Sequence, residues 1–325
     1  MKPFILPLLA SMAGVRYIAS RTVLLIAALL LPLVLVADEK YDALYVMSSQ
    51  ATAYLTFKES IEKRKDDSPS QGNHHLFVAI EHLPAAKLRE LINNSRVVIT
   101  LGQKSTREVS ALNVEKPHVA ALITREAYQD ILSEQDISRG KHCALVIDQP
   151  LDRILRVIHD RLPDTRVAGI IESPGVSENT NPDNVTQQHN NPTIIRAPLD
   201  NNIHSTIRTL SQSGVDIIIA LHNQKVYNRS TARNILISSY HFNLPLIGYS
   251  SAFVKAGALI GIYSAPESMA EDVIDIVNKI DRCFGGNMYH PSEYTVEVNP
   301  QVAKSLGINI DTSDLKQTYQ DRHRE

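Results

Sequence analysis

Residues 245–264, PLIGYSSAFVKAGALIGIYS, hold the choice between two folds for this chain. An apolar, strand-like run ends at Gly248, Tyr249, Ser250 and Ser251, and a second apolar run punctuated by Gly257 and Gly261 follows. A serine two positions after a glycine at a strand end begins a hydrolase nucleophile elbow, Gly-x-Ser-x-Gly, in which a strained turn exposes the hydroxyl. The same pattern suits a polar turn that holds a ligand at the carboxyl end of a parallel strand. The elbow needs a glycine where this chain has Ala252, and it needs an acid and then a histidine downstream. The candidates for those roles are Asp272 and Asp275, both on an amphipathic segment, and His290 in a polar turn. Too little chain follows Ser250 to complete a hydrolase sheet. A Ser250-dependent esterase therefore stands behind the ligand-binding reading.

Working outward, short apolar runs alternate with amphipathic ones. Strand candidates fall at 43–47, 76–80, 97–101, 119–123, 144–147, 167–171, 193–195, 215–221 and 245–248. Most are near-continuous Val, Ile and Leu, the composition of parallel strands covered on both faces. Between them, Leu151, Ile154, Leu155, Ile158 and Leu162 recur at helical spacing behind Pro150, a residue suited to a helix start. Ser264 and Glu267 have the spacing of a capping box, and Met269, Val273, Val277 and Ile280 line one face of the helix they would open. Regular strand–helix alternation indicates an α/β protein. So many strands exceed one comfortable open sheet, and two doubly wound parallel-sheet lobes are expected. A break is placed near residues 124–140. Residues 172–192, the most polar stretch, read as a long surface loop.

The chain has 325 residues, 43% of them hydrophobic and 21% charged, with no Trp. With a net charge of −2 and aromatics at 6%, neither a basic surface nor a stacking platform for nucleic acid is expected. The apolar run at 22–37, TVLLIAALLLPLVLVA, follows Arg16 and Arg21 and precedes Asp38, Glu39 and Lys40, the layout of a secretory signal over residues 1–37. An uncleaved membrane anchor is the alternative, although the run is short for a span and contains Pro32. Cleavage would remove three cations and no acid, leaving a net charge of −5. Cys143 and Cys283 are the only cysteines. In an exported protein they could pair, yet nothing in the sequence brings them within bonding distance, and two separate buried thiols are an equal reading.

No Gly-x-Gly-x-x-Gly occurs. Gly102, Gln103, Lys104 and Ser105 lack the glycines that let a backbone cradle phosphates, so nucleotide hydrolysis is not expected. His74, His75 and His118 are scattered, with no metal-ligand spacing, and no metal or cofactor is expected. Polar residues instead gather where strands end: Ser48 and Ser49; Gly102, Gln103 and Lys104; Thr124 and Arg125; Glu172 and Ser173; His222 and Asn223; Tyr249 and Ser250. In open parallel sheets that edge holds the ligand. Lys104 or Arg125 would pair a carboxylate, and Glu172 an amine.

Asp148-Gln149-Pro150-Leu151-Asp152-Arg153, then Leu162-Pro163 and Gly169, resemble a segment of the periplasmic substrate-binding proteins of ABC transporters, in the branch that includes tryptophan/tyrosine-type binders. Residues 231–236 and 245–250 continue the likeness, as do 256–259, Val298-Asn299, Val302-Ala303 and 306–308. The resemblance spans the chain beyond the signal and is strongest from Cys143 onward. It implies a type I periplasmic-binding fold, with two lobes joined by three chain crossings that close on ligand like a hinge. Lobe one would be residues 41–124 plus 260–285, and lobe two 125–259 plus 290–325. Gly257 and Gly261 would ease a crossing. The implied function is a periplasmic, non-enzymatic protein that delivers a small polar ligand, an amino acid or related carboxylate, to an ABC-type membrane permease and its ATPase. Membrane contact would come through the permease unless the signal stays uncleaved. A ligand-sensing subunit of an envelope complex without transport is the alternative. His222-Asn223-Gln224 replaces an acidic turn common among relatives, so an aromatic amino acid ligand does not follow.

Overall fold

The computed structural model describes residues 41–67, 74–113, 115–135, 140–173, 191–200, 202–311 and 313–321. The signal-like segment 1–37 and nearly all of the polar stretch 172–192 lie outside them.

The apolar runs build two sheets. The first joins β1 (Tyr41–Met47), β2 (His75–Ala79), β3 (Ser95–Leu101), β4 (His118–Ile123), β5 (His142–Val146) and β11 (Asn287–Tyr289), all parallel, in the order β11-β5-β4-β3-β1-β2. The helices α1 (Thr52–Asp67), α2 (Ala85–Asn93), α3 (Gln103–Ser110), α4 (Arg125–Gln135) and α9 (Pro266–Asn278) belong to this lobe. β3 shows why the sheet is parallel and covered on both sides. Val97, Ile99 and Leu101 pack with Phe57, Met269 and Val273, while Val98 points the other way onto Leu88 and Ile92. Side chains alternate across a strand, so a continuous apolar run needs a layer on each face.

The second sheet runs β13-β12-β10-β9-β8-β6-β7. Its members are β6 (Val167–Glu172), β7 (Thr193–Pro198), β8 (Ile217–Ile219), β9 (Leu246–Gly248), β10 (Ile260–Tyr263), β12 (Glu293–Val298) and β13 (Lys316–Gln320). β12 pairs antiparallel with both β10 and β13, and the other pairings are parallel. Five helices accompany it: α5 (Leu151–Arg161), α6 (Ile203–Gln212), α7 (Ala232–His241), α8 (Ser251–Ala256) and α10 (Pro300–Ser305). The chain is therefore an α/β protein with two doubly wound lobes.

Three segments cross between the lobes: 147–150 after β5, 264–265 after β10, and 290–292 after β11. These crossings correct the expected boundaries. Arg125–Gln135 form α4 and His142–Val146 form β5 of lobe one, and Ile260–Tyr263 form β10 of lobe two. The polar stretch after Thr124 is an amphipathic helix burying Ala127, Tyr128 and Ile131 in lobe one, so it marks no break. Gly257 and Gly261 are not crossing residues either. Gly257 ends α8 at φ +121°, and a Cβ on Gly261 would lie 2.5 Å from Val254 Cγ2. Gly257 supplies the positive φ that ends the helix, and Gly261 lets α8 seat closely on the sheet. Ser264 does not cap α9, whose N-cap is Ala265; its hydroxyl donates to Glu293 O at 2.5 Å. Cys143 and Cys283 are joined, with Cα atoms 5.0 Å apart, resolving the two readings in favour of a disulfide.

Candidate functional site

The first five strands of each lobe share one order, in which the second strand lies outside the first and the third returns to its other side. Such a reversal leaves a crevice at the carboxyl ends of the two strands that flank it. In lobe one these are β1 and β3, and in lobe two β6 and β8.

At the lobe-one crevice, Ser48 Oγ accepts from the Ser105 N–H at 2.9 Å and sits 3.1 Å from Ser105 Oγ. Gly102 adopts φ +91°, and a Cβ there would lie 2.1 Å from Tyr54 Oη and 2.9 Å from Ser48 Oγ. Glycine is thus required where the chain turns into α3. Ser49 Oγ accepts from Ala51 N, while Gln103 and Lys104 are exposed. Ser48 and Gly102 spend their polar groups on the turn itself.

At the lobe-two crevice, Glu172 is ion-paired with Arg196, and Ser173 Oγ donates to Asn223 Oδ1 at 3.0 Å. The expected amine partner is therefore already neutralised. The His222 and Tyr249 rings contact one another with centroids 3.9 Å apart. Burial holds His222 down at about 4, so its ring is neutral at pH 7. Ser250 Oγ accepts from Phe253 N at 3.3 Å, as the N-cap of α8. The same hydroxyl is the suspected nucleophile, and its local role is structural.

The crossings supply the rest. Thr124 Oγ1 accepts from Ala127 N, in the first turn of α4. The Arg125 backbone N–H donates to Asp148 Oδ2 at 2.6 Å, and its guanidinium donates to His290 Nε2 at 3.0 Å. An arginine only donates, so Nε2 accepts and the proton of the neutral ring sits on Nδ1, which donates to Asp148 O at 2.8 Å. Gln149 Nε2 reaches Ser264 Oγ at 3.0 Å, and its carbonyl accepts from Arg153 at 2.5 Å. Arg153, a buried residue of α5, also donates to Pro291 O at 2.8 Å, lies 2.9 Å from Asp321 and stacks over Tyr294. All three crossings are thereby tied to one guanidinium. Lys225 from lobe two lies 3.6 Å from Glu126 of lobe one.

A pocket opens at this seam, lined by Asp148 and Gln149, by His222 and Tyr249, and by apolar side chains that include Ile154 and Ile262. Burial raises the Asp148 carboxyl to about 6, against the lowering influence of the Arg125 N–H and guanidinium. Of the sequence-expected residues, His222 and Tyr249 line the pocket; the others lie along the same strand-end edges without lining it. Asp148 and Gln149 line the pocket and were not among the residues expected to bind ligand, and His290, which bonds the Asp148 carbonyl, was considered only as a hydrolase histidine. Asp148 follows a strand end, β5, just as the chosen residues do, and that was the available signal.

No protein-family model matches the chain, and no curated protein matches it in sequence. Solved structures match in fold. An open, ligand-free substrate-binding protein with adhesive properties from Clostridium difficile has a TM-score of 0.62 and 11% identity, covering 86% of this chain and 99% of its own. A Streptococcus pneumonia ABC domain in complex with L-Trp has a TM-score of 0.53 and 15% identity, covering 84% and 97%. A conserved domain protein from Vibrio cholerae has a TM-score of 0.53 and 14% identity over the same shares, 84% and 97%. The chain thus has the type I periplasmic-binding-protein-like fold, and these neighbours are alike in that fold.

Proposed function

We propose that the chain is an exported, non-enzymatic solute-binding protein that takes a small ligand into the cleft between its lobes and hands it to an ABC-type permease. One observation carries this reading. A single pocket brings residues of the first crossing together with the carboxyl ends of β8 and β9, where an α/β sheet holds ligand. Closure about the three crossings would bury that ligand, and hydrogen bonds made there strengthen as water leaves. Export is supported by the signal-like residues 1–37 and by a disulfide, a bond that persists in oxidising compartments. A binding role rather than hydrolysis is supported by the Ser250 hydroxyl, which caps α8.

A thermal-shift panel of amines, amino acids, carboxylates and sugars tests the reading. A ligand at 100 times its Kd adds about 2.7 kcal/mol by mass action. A ligand class that raises the melting temperature with saturation supports it. A flat response across all classes overturns it.

A further inference from the structure

We infer that the seam pocket selects an organic ammonium ion with a flat or apolar body, its charged nitrogen pairing with the Asp148 carboxylate and its body lying against the Tyr249–His222 ring pair. This rests on the solute-binding reading above and narrows its ligand to one charge class.

Charge decides the class. Among the described residues lining the pocket, Asp148 alone is ionised at neutral pH, because burial keeps His222 uncharged. The obvious rival acid, Glu172, is paired with Arg196. An anionic ligand entering here would meet a carboxylate in a partly desolvated wall, whose charge the Arg125 guanidinium offsets only in part.

Burial outweighs the groups that favour the Asp148 charge: the backbone N–H groups of Arg125 and of Asp148 itself, and the nearby Arg125 guanidinium, which also donates to His290. Glu126 adds like charge nearby. The net result is a carboxyl whose charged form is disfavoured, despite Arg125. An ammonium group would add counter-charge and hydrogen-bond donors to those that Arg125 supplies.

The walls fit the rest of such a molecule. Tyr249 is half-buried, backed by Phe253 at 4.6 Å and overlapped by the neutral His222 ring at 3.9 Å. Aromatic faces attract cations and accept flat apolar groups. Among the polar lining groups, the Gln149 amide is engaged at both ends by Ser264 and Arg153.

The test is a matched series that differs only in the polar head: phenethylamine, phenethyl alcohol and 3-phenylpropanoate, titrated calorimetrically into the full chain at pH 7.5. The inference expects phenethylamine to bind at least tenfold more tightly than either partner. Asp148→Asn should abolish that preference, and Tyr249→Leu should weaken the amine at least tenfold. Equal or tighter binding of the alcohol or carboxylate overturns the inference, as does an amine preference that survives Asp148→Asn. Those outcomes leave the solute-binding reading standing, as would binding of sugars alone. Absence of binding by the series and by every class of the thermal panel overturns both. Should Asp148→Asn fail to fold, the wild-type series decides alone.

Discussion

Cys143 lies on β5 and Cys283 just before β11, with a sequence separation of 140 that encloses all of lobe two up to β10. Replacing both cysteines with alanine should therefore destabilise the chain by an amount that depends on how the lobes unfold. If both unfold together, the bond closes a loop of about 140 residues, and the chain-entropy relation assigns it about 5 kcal/mol. If lobe two stays folded while lobe one opens, its insertion acts as a rigid bridge. The flexible loop is then residues 144–150 and 264–282, about 26 in all, worth about 3.5 kcal/mol. Both cysteines are buried beneath α9, so the alanines add a small packing loss of the same sign. Urea unfolding followed by far-UV circular dichroism measures the loss. A single transition with the larger value indicates cooperative lobes; two transitions with the smaller indicate independent ones. A loss below about 1 kcal/mol, or two titratable thiols in the unreduced unfolded protein, would refute the pairing.

Other consequences are local. Arg153→Ala should cost about 2 kcal/mol in thermal unfolding, because it strands Gln149 Oε1 and Pro291 O, while Asp321 keeps Arg156. Arg153→Lys should recover little of that, since an ammonium cannot reproduce the planar fork. Gly102→Ala should lower the urea-derived stability by about 2 to 4 kcal/mol, from the left-handed φ and the overlap with Tyr54; an unchanged midpoint would contradict the close approach. His118, bonded to Thr100 Oγ1 at 2.8 Å, is held down at about 3 by burial and then by His142. Its folded value lies below the unfolded one, near 6.5, so unfolded chains take up the proton first. Stability is then full above pH 6.5 and falls as pH drops toward 3, by roughly 3 kcal/mol by pH 4. His118→Gln should flatten that slope in pH-dependent urea titrations.

The strands were legible because burial on both faces writes itself as unbroken Val, Ile and Leu, as in β3 and β4. The weaker elements escaped for the converse reason. β13 is largely exposed and carries no such pattern, and β11 has three residues at a sheet edge. Gly261 was misread because a glycine that admits a neighbouring helix looks, in one dimension, like a glycine that bends a chain. The disulfide was illegible because its partners meet only after a whole lobe has been threaded between them.

The site divides along a similar line. That ligand contacts lie at strand ends follows from the parallel order alone, but the spare hydrogen-bonding capacity of each residue does not. Glu172 and Arg196 meet because the β6–β7 register sets Ile170 opposite Arg196, a diagonal two residues from Glu172. That pairing removes from the cleft the acid that the sequence offers most plainly. Asp148 was passed over since its strand leads straight into a crossing, where a polar residue reads as part of a linker. The crossing is what gives it significance: a carboxylate there faces the lobe-two strand ends while its backbone carbonyl holds His290 of another crossing. On the proposed reading, a charge that arrives at Asp148 with a ligand would be felt where the lobes are joined, so that ligand selection and lobe geometry would meet in one residue.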